Sequence, residues 1–446
     1  MSLTGIQIYK LLPQTNCKDC EFPTCLAFAM KLAAKQIELS ACPHVSEESK
    51  AQLSSAAEPP VRLVTISANG HQAKAGNEVV LFRHEKTFYN KPGIFILIRD
   101  DTPPGEIAEK AKAIGAYMLN YVGIELRVDG IAVRAENGSA ETFAAAVQAA
   151  RSSSSLPVIL ISDDPEVIAA GLAPLDGEHP LICGANPENW EAMGDIALQR
   201  QASLSVTAGS LSEIAELTEK LKEKGVLDLA LYPQTSDLAG ALVNYTHIRR
   251  LALKKNFRPL GYPILSTPYQ TADAPMESLL AAQSIAKYGG FIIIENFQPE
   301  RIYPLLVLRE NIYTDPQKPI QVQPGLYEIN DPKPEDPLLV TTNFSITYFS
   351  VANEVESSGQ SAWLLVADAE GMSVLTAWAA GNFDAERIAK DVKRFEAASK
   401  LNHKRIVIPG HVAVISGELE EELPDWEVRV GPREAVDLTN FLKEAL

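Results

Sequence analysis

Long apolar runs are missing from this sequence: none approaches the roughly 20 residues that a membrane span requires, and the opening MSLTGIQIYKLLP has no basic stretch leading into an apolar one. A cytoplasmic protein with no membrane partner is expected. Positive charge is also in short supply. Against 57 Asp+Glu stand 40 Lys+Arg, a formal net charge of −17, so an extended phosphate backbone is repelled and nucleic acid is not an expected partner. Cysteine is scarcer still, with five residues in 446, four of them before residue 43. A disulfide framework spreads its pairs through a short chain; this bunching fits metal binding instead. The rest is ordinary for folded protein, with 46% hydrophobic residues and a length that corresponds to about two to four domains.

The bunched cysteines read Cys17-x2-Cys20-x4-Cys25-x16-Cys42, with Pro43 directly after the last. Four thiolates suit either a tetrahedral zinc ion or an iron-sulfur cluster. Zinc sites more often present two short C-x2-C knuckles, whereas here three ligands come from one loop and a distant fourth is followed by proline. That spacing favours iron-sulfur over zinc, and a [4Fe-4S] cluster within that choice. Thr24 is placed to cap a helix that begins at Cys25 and carries apolar residues at Phe28, Leu32 and Ile37. Cys25 then sits at the positive end of a helix dipole, which stabilises a thiolate-ligated, negatively charged group. A cluster domain over residues 1–58, closing at SSAAEPP (54–60), is too small to bury much core without such a staple.

Residues 59–92 read as a linker with connecting strands. From residue 93, eight near-continuous apolar segments, GIFILI (93–98) to GFIIIEN (290–296), alternate with helical patterns. Runs of that kind are parallel strands buried on both faces, and eight βα units fit a closed, TIM-like (β/α)8 barrel over 93–325. Asp100, Asp101, Asp163, Asp164, Glu295 and Asn296 lie at strand ends, where such a barrel keeps an active site. No spacing among them specifies a metal or an acid-base pair, so caps and turns are the better reading. Cys183 reads as a small core residue.

After NDPKPEDP (330–337), four further βα repeats make a small, doubly wound Rossmann-like sheet over 326–446. Ligands of such sheets bind beyond the carboxyl ends of the strands. Those ends are TTNFS (341–345), EGMSVLT (370–376), PGH (409–411) and GPREA (431–435), rich in Thr, Ser and Gly and suited to a large ligand with polar edges. They carry neither the G-x-G-x-x-G nor the G-x-x-x-x-G-K-[ST] pattern, so NAD and ATP are poorly supported.

With LTGIQIYKLLPQTNCKDC, PTCLAFAMKLA, the ACP at 41–43, a barrel and the TTNFSITYF, EGMSVLTAWAAG and GPREA segments, the whole chain resembles the large (gamma) subunit of the corrinoid/iron-sulfur protein. That protein serves the acetyl-CoA (Wood–Ljungdahl) pathway of anaerobic carbon fixation, within the CO dehydrogenase/acetyl-CoA synthase system. The resemblance implies a [4Fe-4S] cluster on Cys17, Cys20, Cys25 and Cys42, and a base-off cobalamin on the C-terminal domain. By position it implies corrinoid contacts from Thr341, Thr342, Ile346, Glu370, Gly371, Met372, Ser373, Val374, Thr376, Gly410, Gly431 and Glu434. The D-x-H-x-x-G motif of corrinoid proteins that ligate cobalt through histidine is absent; His403 and His411 are the domain's histidines and neither follows an Asp two positions earlier.

The resemblance also implies a methyl carrier, with the cobalt and no residue of the chain as the reacting centre. A separate methyltetrahydrofolate:corrinoid methyltransferase delivers the methyl group, the nickel site of acetyl-CoA synthase receives it, and the cluster reduces Co(II) that forms by accident. A small (delta) subunit is the implied heterodimer partner, docking on the barrel. Two other readings stay open: an iron-sulfur electron-transfer adaptor, and a methyltransferase with its own folate site in the barrel.

Overall fold

The structure, a computed structural model, describes residues 5–444 apart from 34–36, 38, 47, 48, 51, 52, 54–58, 236, 272 and 316–319. Most of the SSAAEPP segment lies outside the described residues. The chain forms two compact units, Met1–Met118 with Arg127–Tyr313, and Leu119–Leu126 with Thr314–Leu446.

The first unit begins with helices Gly5–Leu11 and Cys25–Ala33 and a short turn of helix, Leu39–Ala41. Ile8, Leu12, Phe28, Ala29, Val45 and Leu53 form its small core, with Cys25 and Cys42 among them. Strands β1 (Val64–Ala68) and β2 (His71–Ala75) pair as an antiparallel hairpin. The barrel follows: β3 (Gly93–Arg99), then, past the hairpin strands β4 (Met118–Tyr121) and β5 (Ile124–Arg127), β6 (Gly130–Arg134), β7 (Val158–Ile161), β8 (Leu181–Ala185), β9 (Ser203–Val206), β10 (Leu229–Leu231), β11 (Ile264–Ser266) and β12 (Gly289–Ile294). The eight apolar runs all become strands, and they close in chain order, β12 pairing parallel with β3 through Phe291 and Gly93. Gly130 is required by close packing, because a Cβ there would lie 2.1 Å from the Phe95 ring and 2.6 Å from the Pro157 carbonyl oxygen.

The stretch expected to connect domains does more than connect. On β1 every second residue is buried, and Val64, Ile66, Ala73 and Ala75 share one core with Phe95, Leu97, Ile159, Leu181, Leu265 and Phe291. The hairpin therefore plugs the amino-terminal end of the barrel, where Ser67 also bridges to His179 just before β8. Beside it, Arg249 pairs with Glu78 at 3.2 Å with both side chains buried, and the Arg249 guanidinium lies 4.8 Å from the Tyr288 ring centroid.

Two boundaries differ from those read in the sequence. The segment PPGEIAEKAKAIGAYMLNYV reads as one helix, but the helix is Pro104–Ala116, and β4 and β5 form a hairpin whose turn holds Val122 and Gly123 at φ of 48° and 83°. The barrel also ends before residue 325: helix Pro299–Tyr313 is its last element, and β13 (Gly325–Ile329) joins the second unit.

That unit is a five-stranded sheet in the order β13-β15-β14-β16-β17, with β14 (Leu338–Thr342), β15 (Ala362–Ala367), β16 (Arg405–Ile408) and β17 (Glu427–Val430) parallel and β13 antiparallel at the edge. Alternation along β14 sends Leu338 and Val340 to one core, with Phe383 and Ile388, and Leu339 to the other, with Val355 and Leu438. Helices thus cover both faces. Because β14 lies between β15 and β16, the connections leave it in opposite directions, which opens a crevice at the carboxyl ends of β14 and β16.

Candidate functional site

At the cysteine segment, Gln14, Asn16, Lys18 and Glu21 have φ of 57°, 51°, 71° and 65°, and repeated left-handed residues curl a backbone into the concave form that holds anionic groups. The Cys25 N–H donates to Asn16 Oδ1 at 2.8 Å, tying the start of the loop to the helix that carries the third cysteine. Thr24 caps that helix through Oγ1, which accepts from the Ala27 N–H at 3.1 Å. Cys25 and Cys42 are buried, Cys20 is half-buried and Cys17 is exposed, and all four are free thiols. Burial pushes the Cys42 thiol up; a hydrogen bond from the His44 backbone opposes this, and the charges of Cys20, Cys25 and Cys17 add to the rise. Four cysteines whose negative charges, once ionised, would repel one another fit a cationic iron-sulfur or zinc centre, which would relieve that repulsion.

In the second unit, the crevice between β14 and β16 has a volume of about 330 Å³. Of the residues expected there, Thr341, Ile346, Ser373, Val374, Gly431 and Glu434 line it. Ser350, Val351 and Leu438 line it too; no motif marks them. Thr341 and Thr342 are fully buried, and their hydroxyls find no partner among the described residues. Orphaned hydroxyls at the end of a strand are donors waiting for a ligand. The rim is apolar and uncovered, with Ile346 67% and Val436 65% exposed.

Thr342, Glu370, Gly371, Met372, Thr376 and Gly410 do not line the crevice. Glu370 and Gly371 form a left-handed turn pinned by Asn343, whose Oδ1 accepts from the Ala369 and Gly371 N–H groups at 2.9 Å each. Met372 packs against the sheet core, and the Thr376 hydroxyl pairs with Ser373 Oγ at 3.0 Å. Gly410 serves the backbone, since a Cβ there would sit 2.5 Å from the Gly431 carbonyl oxygen. His403 is occupied by backbone groups, its Nε2 near the Asp336 carbonyl and its Nδ1 accepting from the Arg405 N–H. His411 lines the crevice, 3.6 Å from Glu434.

The barrel mouth holds a polar cavity of about 350 Å³ lined by Arg134, Asp163, Thr207, Tyr232 and Tyr269, among others. The acidic groups noted there are mostly committed. Asp164 caps a helix through the Glu166 N–H, Asp100 Oδ1 accepts from the Glu136 N–H, and Arg99 binds Glu295 through two hydrogen bonds of 2.7 and 2.9 Å. Asn296 donates to Glu277. Burial pushes the Cys183 thiol up to about 12, as for a core residue.

A family model described as the CO dehydrogenase/acetyl-CoA synthase delta subunit matches residues 63–442, and one described as a putative iron-sulfur cluster matches residues 12–44. The corrinoid/iron-sulfur protein large subunit of Moorella thermoacetica is 40% identical over 447 residues, covering 100% of both chains. The acetyl-CoA decarbonylase/synthase complex subunit gamma of Methanopyrus kandleri is 34% identical, covering 99% of this chain and 98% of its own. Among solved structures, dihydropteroate synthase from Thermus thermophilus is similar over 55% of this chain and 98% of its own, at 16% identity and a TM-score of 0.39; the barrel rests on its strand order, not on that likeness. The first family model carries the delta name, yet the full-length relatives are large or gamma subunits, and their matches extend over the part of the chain that precedes residue 63. The chain therefore belongs to the family of corrinoid/iron-sulfur protein large subunits and acetyl-CoA decarbonylase/synthase gamma subunits.

Proposed function

We propose that this chain is a methyl carrier of acetyl-CoA synthesis, holding a base-off cobalamin on its second unit and a [4Fe-4S] cluster on Cys17, Cys20, Cys25 and Cys42. The observation that carries the reading is one chain, similar over its full length to a corrinoid/iron-sulfur protein, that combines a four-thiol loop with a switch-point crevice ending in an unpaired hydroxyl. When bound, the corrinoid would supply a cobalt centre able to accept a methyl group from methyltetrahydrofolate, through a separate methyltransferase, for the nickel site of acetyl-CoA synthase, and a cluster on the four cysteines would supply an electron for reactivation.

The chain's own residues bind and orient. Thr341 offers its hydroxyl to the polar edge of a macrocycle, and Ile346, Leu375 and Val436 offer it an apolar rest. Ser373 and Thr376 hydrogen-bond to each other at the start of helix Val374–Ala379 and set the loop beneath it. The chain has no D-x-H-x-x-G motif, His403 is held by backbone groups and His411 lies 3.6 Å from Glu434, which supports a base-off cofactor; a metal without a basic donor would be easier to reduce. The small (delta) subunit, the methyltransferase and CO dehydrogenase/acetyl-CoA synthase are the proposed partners, in the cytoplasm.

The test is the metal and cofactor content of anaerobically purified protein. About four iron, four sulfide and one base-off corrinoid per chain are expected. Zinc at the cysteines, or iron without cobalt after corrinoid reconstitution, overturns the proposal. The barrel-mouth cavity favours one second reading, a folate site of the chain's own. Methyl transfer from methyltetrahydrofolate without added methyltransferase would establish it.

A further inference from the structure

The four cysteines are not equally protected. Cys25 and Cys42 are 6% and 5% exposed, whereas Cys17 lies open to solvent. Two side chains that are not cysteines converge on that open corner. His44 Nε2 lies 2.5 Å from Asp19 Oδ2, and the Cys17 sulfur, an Asp19 oxygen and a His44 nitrogen all lie within 4.8 Å of one another. Asp19 sits between Cys17 and Cys20 in the first loop, and His44 stands two residues beyond Cys42. Their bond therefore joins the two arms that carry the cysteines, at the one corner where the protein leaves a thiol uncovered.

We propose that the Asp19–His44 pair is a latch over the Cys17 corner, and that it sets how readily the iron bound there is lost. This inference rests on reading the four cysteines as ligands of a [4Fe-4S] cluster. Asp19 and His44 are positioning residues: four thiolates complete the donor set, and carboxylate and imidazole satisfy each other. With the latch closed, the carboxylate holds the imidazole and ties the loop of Cys17 and Cys20 to the Cys42 arm. With either side chain removed, the first loop is released from the Cys42 arm, and Cys17, already open to solvent, is held less firmly on its iron. Groups that orient metal ligands from outside typically change metal retention by about 10–100-fold.

The vulnerable step is oxidative. A one-electron oxidant such as ferricyanide takes one electron from the [4Fe-4S]2+ core and becomes ferrocyanide; the core releases Fe2+ and remains as [3Fe-4S]+. Charge balances, and the freed Cys17 thiolate takes a proton from solvent.

The experiment compares full-length, anaerobically purified wild type with Asp19→Ala, His44→Ala and His44→Gln, following iron, sulfide and EPR after one equivalent of ferricyanide. Asp425→Ala, which breaks an exposed ion pair with Lys404 in the second unit, is the control. The expected result is loss of one iron roughly tenfold faster from the two alanine variants, with sulfide retained and a three-iron EPR signal. His44→Gln, whose amide N–H still reaches Asp19, should behave like wild type, as should the control. Equal rates of iron loss in wild type and both alanine variants overturn the latch and leave the cluster reading standing. Zinc, or no iron, in the wild type overturns the cluster reading and the latch with it. If the alanine variants assemble no cluster, Asp19→Asn decides, because it keeps the hydrogen bond without its charge assistance: faster loss than wild type supports the latch and an equal rate overturns it.

Discussion

The carboxyl ends of the two sets of parallel strands are finished in different ways. At the barrel mouth most charged groups are paired off, Glu295 with Arg99 and Asp164 with a helix terminus, leaving Thr207 and one oxygen of Asp100 without partners among the described residues. At the crevice of the second unit the loose group is the Thr341 hydroxyl at the end of β14, beside a rim of uncovered aliphatic side chains. A polar cavity with its charges spent suits a scaffold, or a small polar guest. A crevice both apolar at the rim and polar at the base suits a broad amphipathic ligand whose own surface completes the fold. The two regions share a strand architecture, and the fate of their end groups separates them.

The strongest way to break the comparison is at the barrel floor. Glu78→Ala leaves Arg249 buried without its partner, and a loss of about 3–5 kcal/mol is expected in urea unfolding followed on the barrel; an unchanged midpoint would remove the pair from the scaffold. At the crevice, Ser350→Trp places an indole among the lining residues, and corrinoid retention should fall by at least about 100-fold, roughly 2.7 kcal/mol. Gln234→Trp, at the barrel mouth, should leave it unchanged, and equal losses from both would erase the distinction drawn here. A subtler change, Thr341→Val, replaces an orphaned hydroxyl with a methyl group. The cofactor-free protein should be as stable as wild type or about 1 kcal/mol more so, while corrinoid binding weakens about tenfold.

The smallest effect is one of pH. Hydrogen bonds from Arg99, with its charge, hold the Glu295 carboxyl below its usual value of 4.5 against a partial opposing effect of burial. The folded form therefore binds its proton less readily than the unfolded chain, so this contribution is complete above pH 4.5 and is lost as pH falls through the folded value. Glu295→Gln should flatten the stability profile below pH 4.5 by no more than about 1 kcal/mol, since the pair is partly exposed. Thermal melts at several pH values measure it.

How far these features could be read beforehand depended on where their chemistry resides. Cysteine spacing names its residues outright, because thiolates are chosen for what the side chain does. The eight barrel strands were legible as apolar runs, and the crevice as the ends of TTNFS and GPREA. Ser350, Val351 and Leu438 were not, since helical periodicity alone brings them to the same wall. The hairpin turn was hidden because Val122, a β-branched residue, occupies a left-handed position where Asn or Gly is the usual signal. β13 was hidden as well: GLYEI is half-exposed for most of its length and makes no apolar run.

That hairpin matters before the protein exists in its finished form. Residues 119–126 belong to the second unit, yet the ribosome must add 127–313 before any of the rest of that unit appears. At roughly 5–20 residues per second, the wait is about 10–40 s. During that interval Val122, which ends in the core beside Val322 and Leu339, has nothing to pack against. The nascent chain thus carries an uncovered edge through roughly two fifths of its synthesis.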